Sequence, residues 1–333
     1  MDELILDILK QLRDGSQGAL DTHQLEMLIN SHNSGIDSSA HSTEREKLIP
    51  KRAILPYFLQ VKHNNDKLWQ SWNVTPELEE RFVHSVRMKP RRTASGVATI
   101  TVITRPHTCS SNCIYCPCDL RMPKSYLANE PACQRAELTF FDPYVQVAAR
   151  LQALHQMGHS TDKVELIVLG GTWSDYPESY QYWFIKELFR ALNEWPSSPN
   201  HIQERLNWYT SFGLQNSDEA LSSFVAEQQA AVFDDNTTYN QAFHKLYDTS
   251  QPHQSAWLQM QSTYDQLVEQ QHVNETADAR VVGLVIETRP DTITPDNLHM
   301  FRQLGCTKIQ IGIQSTRQEI LDANKRQMSV AQI

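Results

Sequence analysis

Four apolar, β-branched stretches alternate with helix-patterned stretches over residues 97–313. That alternation predicts an α/β protein with a parallel sheet, closed or partly closed as a barrel. Each of the four stretches runs straight into polar or glycine-containing residues, and in such folds the strand C-termini carry the chemistry. Residues 1–88 show helical patterning only, so a helical N-terminal region is expected before an α/β region of 89–333.

Residues 2–31 read as two short amphipathic helices broken at Gly15, and a polar linker runs from His32 to Ser42. Thr43 with Glu46 resembles a capping box. Thr75-Pro76 offers an N-cap and a first-turn proline for a helix carrying Leu78, Phe82, Val83 and Val86 on one side. Residues 97–103 form the first buried strand. A helix begun by Asp142-Pro143 stops at Gly158. Residues 164–169 form the second strand, ending in Gly170-Gly171-Thr172, and a helix near Glu178–Asn193 follows. Residues 281–286 form the third strand, ending in Glu287, Thr288 and Arg289. Thr294-Pro295 caps a helix that stops at Gly305, and residues 307–313 form the fourth strand, ending in Gln314-Ser315. Residues 196–279 break the rhythm, with eleven acidic residues against three basic ones between Pro196 and Arg280. They read as an insertion without evident chemistry, helical at 221–232 and 257–271, with 207–212 as a stray strand. No internal repeat is visible.

The chain has 333 residues, 40% hydrophobic and 21% charged, which suffices to bury a core. No apolar run approaches a membrane span, and the N-terminus is acidic where a signal peptide is basic. Four of the 6 cysteines fall between 109 and 118, which without an export signal indicates a metal site rather than disulfides. A cytoplasmic location is expected. Net charge is -9, yet twelve Lys/Arg stand against five Asp/Glu between Arg45 and Arg105, including Arg87, Lys89, Arg91 and Arg92 in one short run. Phosphate binding follows the local field, so an acidic protein can carry a basic nucleic-acid face. A solvated surface is the alternative.

Cys109, Cys113 and Cys116 have the spacing C-x3-C-x2-C. Three thiolates from one loop can hold three irons of a [4Fe–4S] cube and leave the fourth open to a small molecule. The competing reading is a zinc knuckle that also uses Cys118, although zinc sites usually come as separated cysteine pairs. Cys133 and Cys306 read as core residues. Gly170 and Gly171 let a ligand approach the backbone closely, or simply make a tight turn. Glu287 could pair an ammonium and Gln314 a ribose hydroxyl, unless both are ordinary strand-end caps. Arg289 could contact a carboxylate or phosphate.

On these residues the chain resembles the radical S-adenosylmethionine (SAM) enzymes. More narrowly, it resembles the catalytic subunit family of Elongator and its stand-alone prokaryotic counterparts, which modify wobble uridines in tRNA. The resemblance is carried by residues 92–97, 113–117, 126–131, 158–172, 286–291, 305–307 and 312–315. It implies a partial (β/α) radical SAM TIM-like barrel and a [4Fe–4S] cluster on Cys109, Cys113 and Cys116. It places SAM near Gly170 and Gly171, with contacts from Glu287 and Gln314. The implied reaction cleaves SAM to a 5′-deoxyadenosyl radical, which takes a hydrogen from the methyl of acetyl-CoA. The resulting carbon radical adds to C5 of uridine 34, and hydrolysis leaves 5-carboxymethyluridine. Lys163 falls where the family has a lysine assigned to acetyl-CoA, so it is a candidate catalytic and cofactor-binding residue. Arg87, Lys89, Arg91 and Arg92 match the region that helps hold tRNA. Implied partners are tRNA, acetyl-CoA and a reductant such as a flavodoxin or ferredoxin, with no membrane. The protein is thus expected to be an acyl-group transferase of tRNA modification.

Two departures stand out. Many family members have a longer gap between the first two cysteines. The family also continues past four strands into the rest of a six-strand partial barrel and an acetyltransferase-like domain, so this chain is expected to be a fragment, complemented if at all by another chain. An apolar sheet edge is then expected to be exposed. Rival readings are a non-catalytic tRNA-binding module, motivated by the basic stretch, and a radical SAM enzyme with another substrate, such as a porphyrinogen oxidase relative. A histone acetyltransferase role is disfavoured.

Overall fold

A computed structural model describes residues 1–15, 18–34 and 48–332. The expected capping box of Thr43 and Glu46, and most of the linker after His32, lie outside the described residues. The chain divides into one unit of Met1–Gly96 with Ala153–Ser160 and another of Val97–Gln152 with Thr161–Ile333.

In the first unit, the helix Asp2–Asp14 buries Leu4, Ile5, Ile8, Leu9 and Leu12 along one stripe and stops at Gly15. The helix Thr22–Asn33 starts from a capping box between Asp21 and Gln24. Thr75 accepts from the Leu78 N–H and caps Pro76–Val86. Phe58 and Phe82 stack with ring centres 4.1 Å apart in the core these helices share. Gly158, at φ +84°, makes the left-handed turn that follows the helix Pro143–Gln156.

In the second unit, β1 (Ala98–Ile103), β2 (Lys163–Leu169), β3 (Arg280–Thr288) and β4 (Lys308–Ile311) make one parallel sheet in the order β1-β2-β3-β4. Spatial order equals chain order, as along the arc of a (β/α) barrel. Ile103 pairs with Leu169 and Thr288 with Ile311, so the strands end together and their following residues gather on one rim. β3 runs two residues past the apolar stretch because Glu287 and Thr288 still pair with Gln310 and Ile311. Glu287 therefore sits inside the strand rather than after it. β4 is one of the sheet's two edges, with Ile311 and Ile313 exposed.

The segment 196–279 is helical nearly throughout, which corrects two sequence expectations. Residues 207–212 are not a strand but belong to the helix Ile202–Ser211 and its end. Arg205 and Tyr209 both bond the buried Asp142 Oδ2, at 2.9 and 2.8 Å. One helical turn brings two such residues together, whereas a strand would separate them by about 13 Å. Residues 257–271 are not one helix. Gln251–Trp257 ends, and a capping box of Thr263 with Gln266 starts Tyr264–Asn274 afresh.

This segment also carries a pH-sensitive group. His253 stacks on Phe224 at 4.8 Å, and burial with the nearby Arg105 charge holds its pKa at about 4. An unfolded histidine titrates near 6.5. Between those values the unfolded chain binds a proton that the folded chain does not, so stability is full above about pH 6.5 and falls toward pH 4. The loss from this group is at most ~3 kcal/mol. Chemical denaturation at pH 7 and pH 5 should show a smaller loss for His253→Phe than for the wild type, and equal losses would refute the assignment.

Candidate active site

The loop that leaves β1 carries the cysteines to the rim where the strands end. There Cys109, Cys113 and Cys116 line one cavity of about 280 Å³ with Gly170 and Gly171 after β2, Glu287 of β3 and Gln314 after β4. Each thiol has its own hydroxyl neighbour. Thr172 Oγ1 lies 3.5 Å from Cys109 Sγ, Ser111 Oγ 3.0 Å from Cys113 Sγ, and Ser125 Oγ 3.1 Å from Cys116 Sγ. Two guanidinium groups face the same sulfurs: Arg289 Nη1 is 3.9 Å from Cys109 and Arg326 Nη1 is 3.9 Å from Cys113. Burial pushes the Cys113 thiol up, but hydrogen bonds from Ser111 and Tyr115 and the charges of Arg326 and Arg289 outweigh it and bring it below the usual cysteine value. Burial dominates at Cys116 and raises it, with Ser125 opposing. Tyr115 is pushed up to about 12 by burial and by its bond to Cys113.

The remaining wall is polar. Glu287 accepts from the Tyr126 hydroxyl at 2.7 Å, and burial followed by the Glu287 charge keeps that phenol protonated. Lys124 is buried and donates to the Ser111 carbonyl at 3.0 Å. Gln314 takes φ +69°, a left-handed conformation that non-glycine residues adopt at some cost and that clusters at ligand sites. At Gly170 a Cβ would fall 1.8 Å from Thr104 Oγ1, so only glycine fits.

The donor set suits an iron–sulfur cube. Each thiolate of a cube binds a different iron, so the sulfurs need not converge on one point. Among the described residues, no three Cys, His, Asp or Glu side chains stand close enough together for a single ion. Cys118 is not part of the cavity wall; its Sγ donates to the Cys116 carbonyl at 3.4 Å, and it packs against the inserted helices.

Comparison with known proteins gives three relatives of similar sequence. The chain is 32% identical over 262 residues to a tRNA uridine(34) acetyltransferase of Methanocaldococcus infernus, a match covering 77% of this chain and 36% of the relative. It is 31% identical over 245 residues to the protein of that name in Dehalococcoides mccartyi, covering 74% of this chain and 39% of the relative. To the Elongator complex protein 3 of Homo sapiens it is 28% identical over 264 residues, covering 76% and 36%. Over its matched residues, this chain is similar to proteins named tRNA uridine(34) acetyltransferase and Elongator complex protein 3. It spans little more than a third of the length of these relatives. A solved structure, the archaeal Methanocaldococcus infernus Elp3 with its N-terminus deleted, aligns at 27% identity with a TM-score of 0.40, covering 71% of this chain and 33% of that one. No family model matches.

Not every residue expected from the Elongator family joins the cavity. Lys163 opens β2 and is exposed, at the end of the sheet opposite the cysteine loop. The length of β2 separates it from Gly170 by roughly 20 Å. Lys163 is thus not among the residues of the cysteine cavity. Arg87, Lys89, Arg91 and Arg92 lie in the first unit, around the short turn Pro90–Thr93. Lys89, Arg91 and Arg92 are exposed and make no ion pair among the described residues, while Arg87 is half-buried. Sequence reasoning missed Lys124 and Arg326 as cavity residues. Both lie on loops, where no periodicity marks them. Their one visible signal was an unexplained cation close to a recognised motif. Among the described residues no helix is long and apolar enough to cross a membrane.

Proposed function

We propose that this chain is the radical SAM portion of a tRNA wobble-uridine-modifying transferase. The observation that carries the reading is the single cavity where three cysteines of one loop meet Gly170, Gly171, Glu287 and Gln314. The relatives' names support tRNA uridine 34 as the target and acetyl transfer as the class. Cys109, Cys113 and Cys116 would hold a [4Fe–4S] cluster, and the cavity would hold SAM. When bound, such a cluster supplies the electron for reductive cleavage of SAM. The chain's own residues then have distinct tasks. Arg289 and Arg326 offset thiolate charge, and Tyr126 holds Glu287 ready to accept from an ammonium. Lys124 supplies a buried cation for a carboxylate. The finer reading, 5-carboxymethyluridine from acetyl-CoA with Lys163 as an acetyl-CoA contact, belongs to this proposal, as do the reductant and a cytoplasmic location. Anaerobic reconstitution with iron and sulfide should give a brown protein that releases 5′-deoxyadenosine from SAM on reduction. Zinc in its place, or no iron uptake, overturns the reading.

A second reading, a tRNA-binding module without catalysis, is favoured by the exposed run Lys89, Arg91 and Arg92. Filter binding of tRNA across a salt series tests it. Replacing one of the three by alanine should lower the slope of log K against log salt by about 1. An unchanged slope for all three removes the phosphate contacts, and SAM cleavage by the same preparation rejects the absence of catalysis.

A further inference from the structure

We infer that the helical segment 196–279 positions the cysteine loop, with Asn240 and Gln229 as positioning residues. The geometry stands by itself; its bearing on an iron–sulfur cluster rests on the function proposed above. Residues 104–130 contain no helix longer than a turn and no strand, so only scattered turn bonds such as Met122 N–H to the Asp119 carbonyl pair their backbone internally, and other groups take partners from elsewhere. A side-chain amide carries one acceptor and two donors and can serve a peptide as a neighbouring strand would. Asn240 does this at Cys109. Its Oδ1 accepts from the Cys109 N–H at 3.1 Å and its Nδ2 donates to the Cys109 carbonyl at 2.7 Å. Gln229 does the same beyond Cys116. Its Oε1 accepts from the Leu120 N–H at 2.7 Å and its Nε2 donates to the Cys118 carbonyl at 2.9 Å.

Two buried phenols complete the frame. The Tyr239 hydroxyl donates to the Met122 carbonyl at 2.8 Å and the Tyr247 hydroxyl to the Leu120 carbonyl at 2.7 Å. Leu120 is itself fully buried among Val225, Val232, Tyr239 and Phe243. The same stretch is gripped at both ends, at the first cysteine and just past the third. Ordering a free loop costs entropy for each residue fixed, and bonds already in place meet that cost before any ligand arrives. The inserted segment therefore holds the thiols near their working arrangement in the absence of metal.

The test uses the full chain, metal-free and reduced, under pulsed iodoacetamide, with each cysteine quantified by mass spectrometry. In Asn240→Ala the Cys109 alkylation rate should rise about tenfold, as local opening becomes easier. Cys133 and Cys306, in the core, should keep their rates. Asn240→Asp keeps the acceptor for the Cys109 N–H and loses the donor, so its rise should be smaller. Gln229→Ala should instead raise Cys116 and Cys118, and it asks the same question if Asn240→Ala does not fold. An unchanged Cys109 rate, or one rise shared by all six thiols, overturns the positioning role. After reconstitution, the reduced Asn240→Ala protein should show an altered electron paramagnetic resonance signal. If the wild type takes up no iron, the proposed function fails while the alkylation rates still decide the inference.

Discussion

Cys113→Ala should lose its iron chromophore on reconstitution and cleave SAM at less than about a hundredth of the wild-type rate, since removing even an outer partner of a metal ligand costs ~10–100-fold. Cys116→Ala should behave alike. The decisive contrast is Cys118→Ala. Cys118 lies outside the cavity wall and donates a hydrogen bond to the Cys116 carbonyl. Its loss should leave iron content and SAM cleavage within a few-fold of wild type. A zinc knuckle would rank the variants otherwise, because four equivalent thiolates make each cysteine indispensable. Metal analysis of the three purified variants separates the cases. Equal loss of metal in all three would remove the site-differentiated cube, and unchanged SAM cleavage in Cys113→Ala would remove Cys113 from the ligand set. Arg326→Met belongs between these limits: it takes a positive charge from beside Cys113 without touching the donor set, so loading should persist and the thiol should become less acidic.

The parts of this molecule that sequence exposes are those governed by short-range pattern. β-branched runs bounded by motif residues gave the four strands and their parallel arrangement. Thr75-Pro76 and Thr294-Pro295 marked helix starts, because capping is decided within four residues. The grouping of Gly170, Glu287 and Gln314 with the cysteines was legible for a topological reason: parallel strands put all their C-termini on one rim. Segment 196–279 was legible only in part: the expected helix at 221–232 lies within Asp218–Phe233, but the packing of the segment was not legible. Its helices are held by Arg205 and Tyr209 on Asp142, and by Asn240 and Gln229 on the cysteine loop. Those partners lie 63 to 131 positions away in the chain. Neither alternation nor helical periodicity reports such a contact. Lys163 shows how far one motif can reach. It and Gly170 are neighbours in one motif, but a strand is stretched, and the same seven residues that link them also hold them apart.

Gly170→Ala should be the most destabilising single-methyl change at the site. The new Cβ would meet Thr104 Oγ1 at 1.8 Å and Thr104 Cβ at 3.0 Å, and the backbone stands at φ +154°, which L side chains rarely adopt. Thr104 cannot swing away freely. It is buried, its hydroxyl is bonded to Tyr176 at 2.8 Å, and Tyr176 donates onward to the Arg105 carbonyl at 2.7 Å. Overpacking costs ~1–3 kcal/mol and the strained backbone adds about 1 kcal/mol or more. Gly171→Ala is the control: its nearest neighbour would be Tyr176 Oη at 3.8 Å, an ordinary contact, so stability should change by less than about 0.5 kcal/mol. Thr104→Ala combined with Gly170→Ala removes the closest clash but not the backbone strain, and should recover part of the loss with a coupling of at least ~1 kcal/mol. Urea denaturation of wild type, Gly170→Ala, Thr104→Ala, the double variant and the Gly171→Ala control measures this directly. A Gly170→Ala protein as stable as wild type would mean that the ends of β1 and β2 do not approach as closely as the cavity requires.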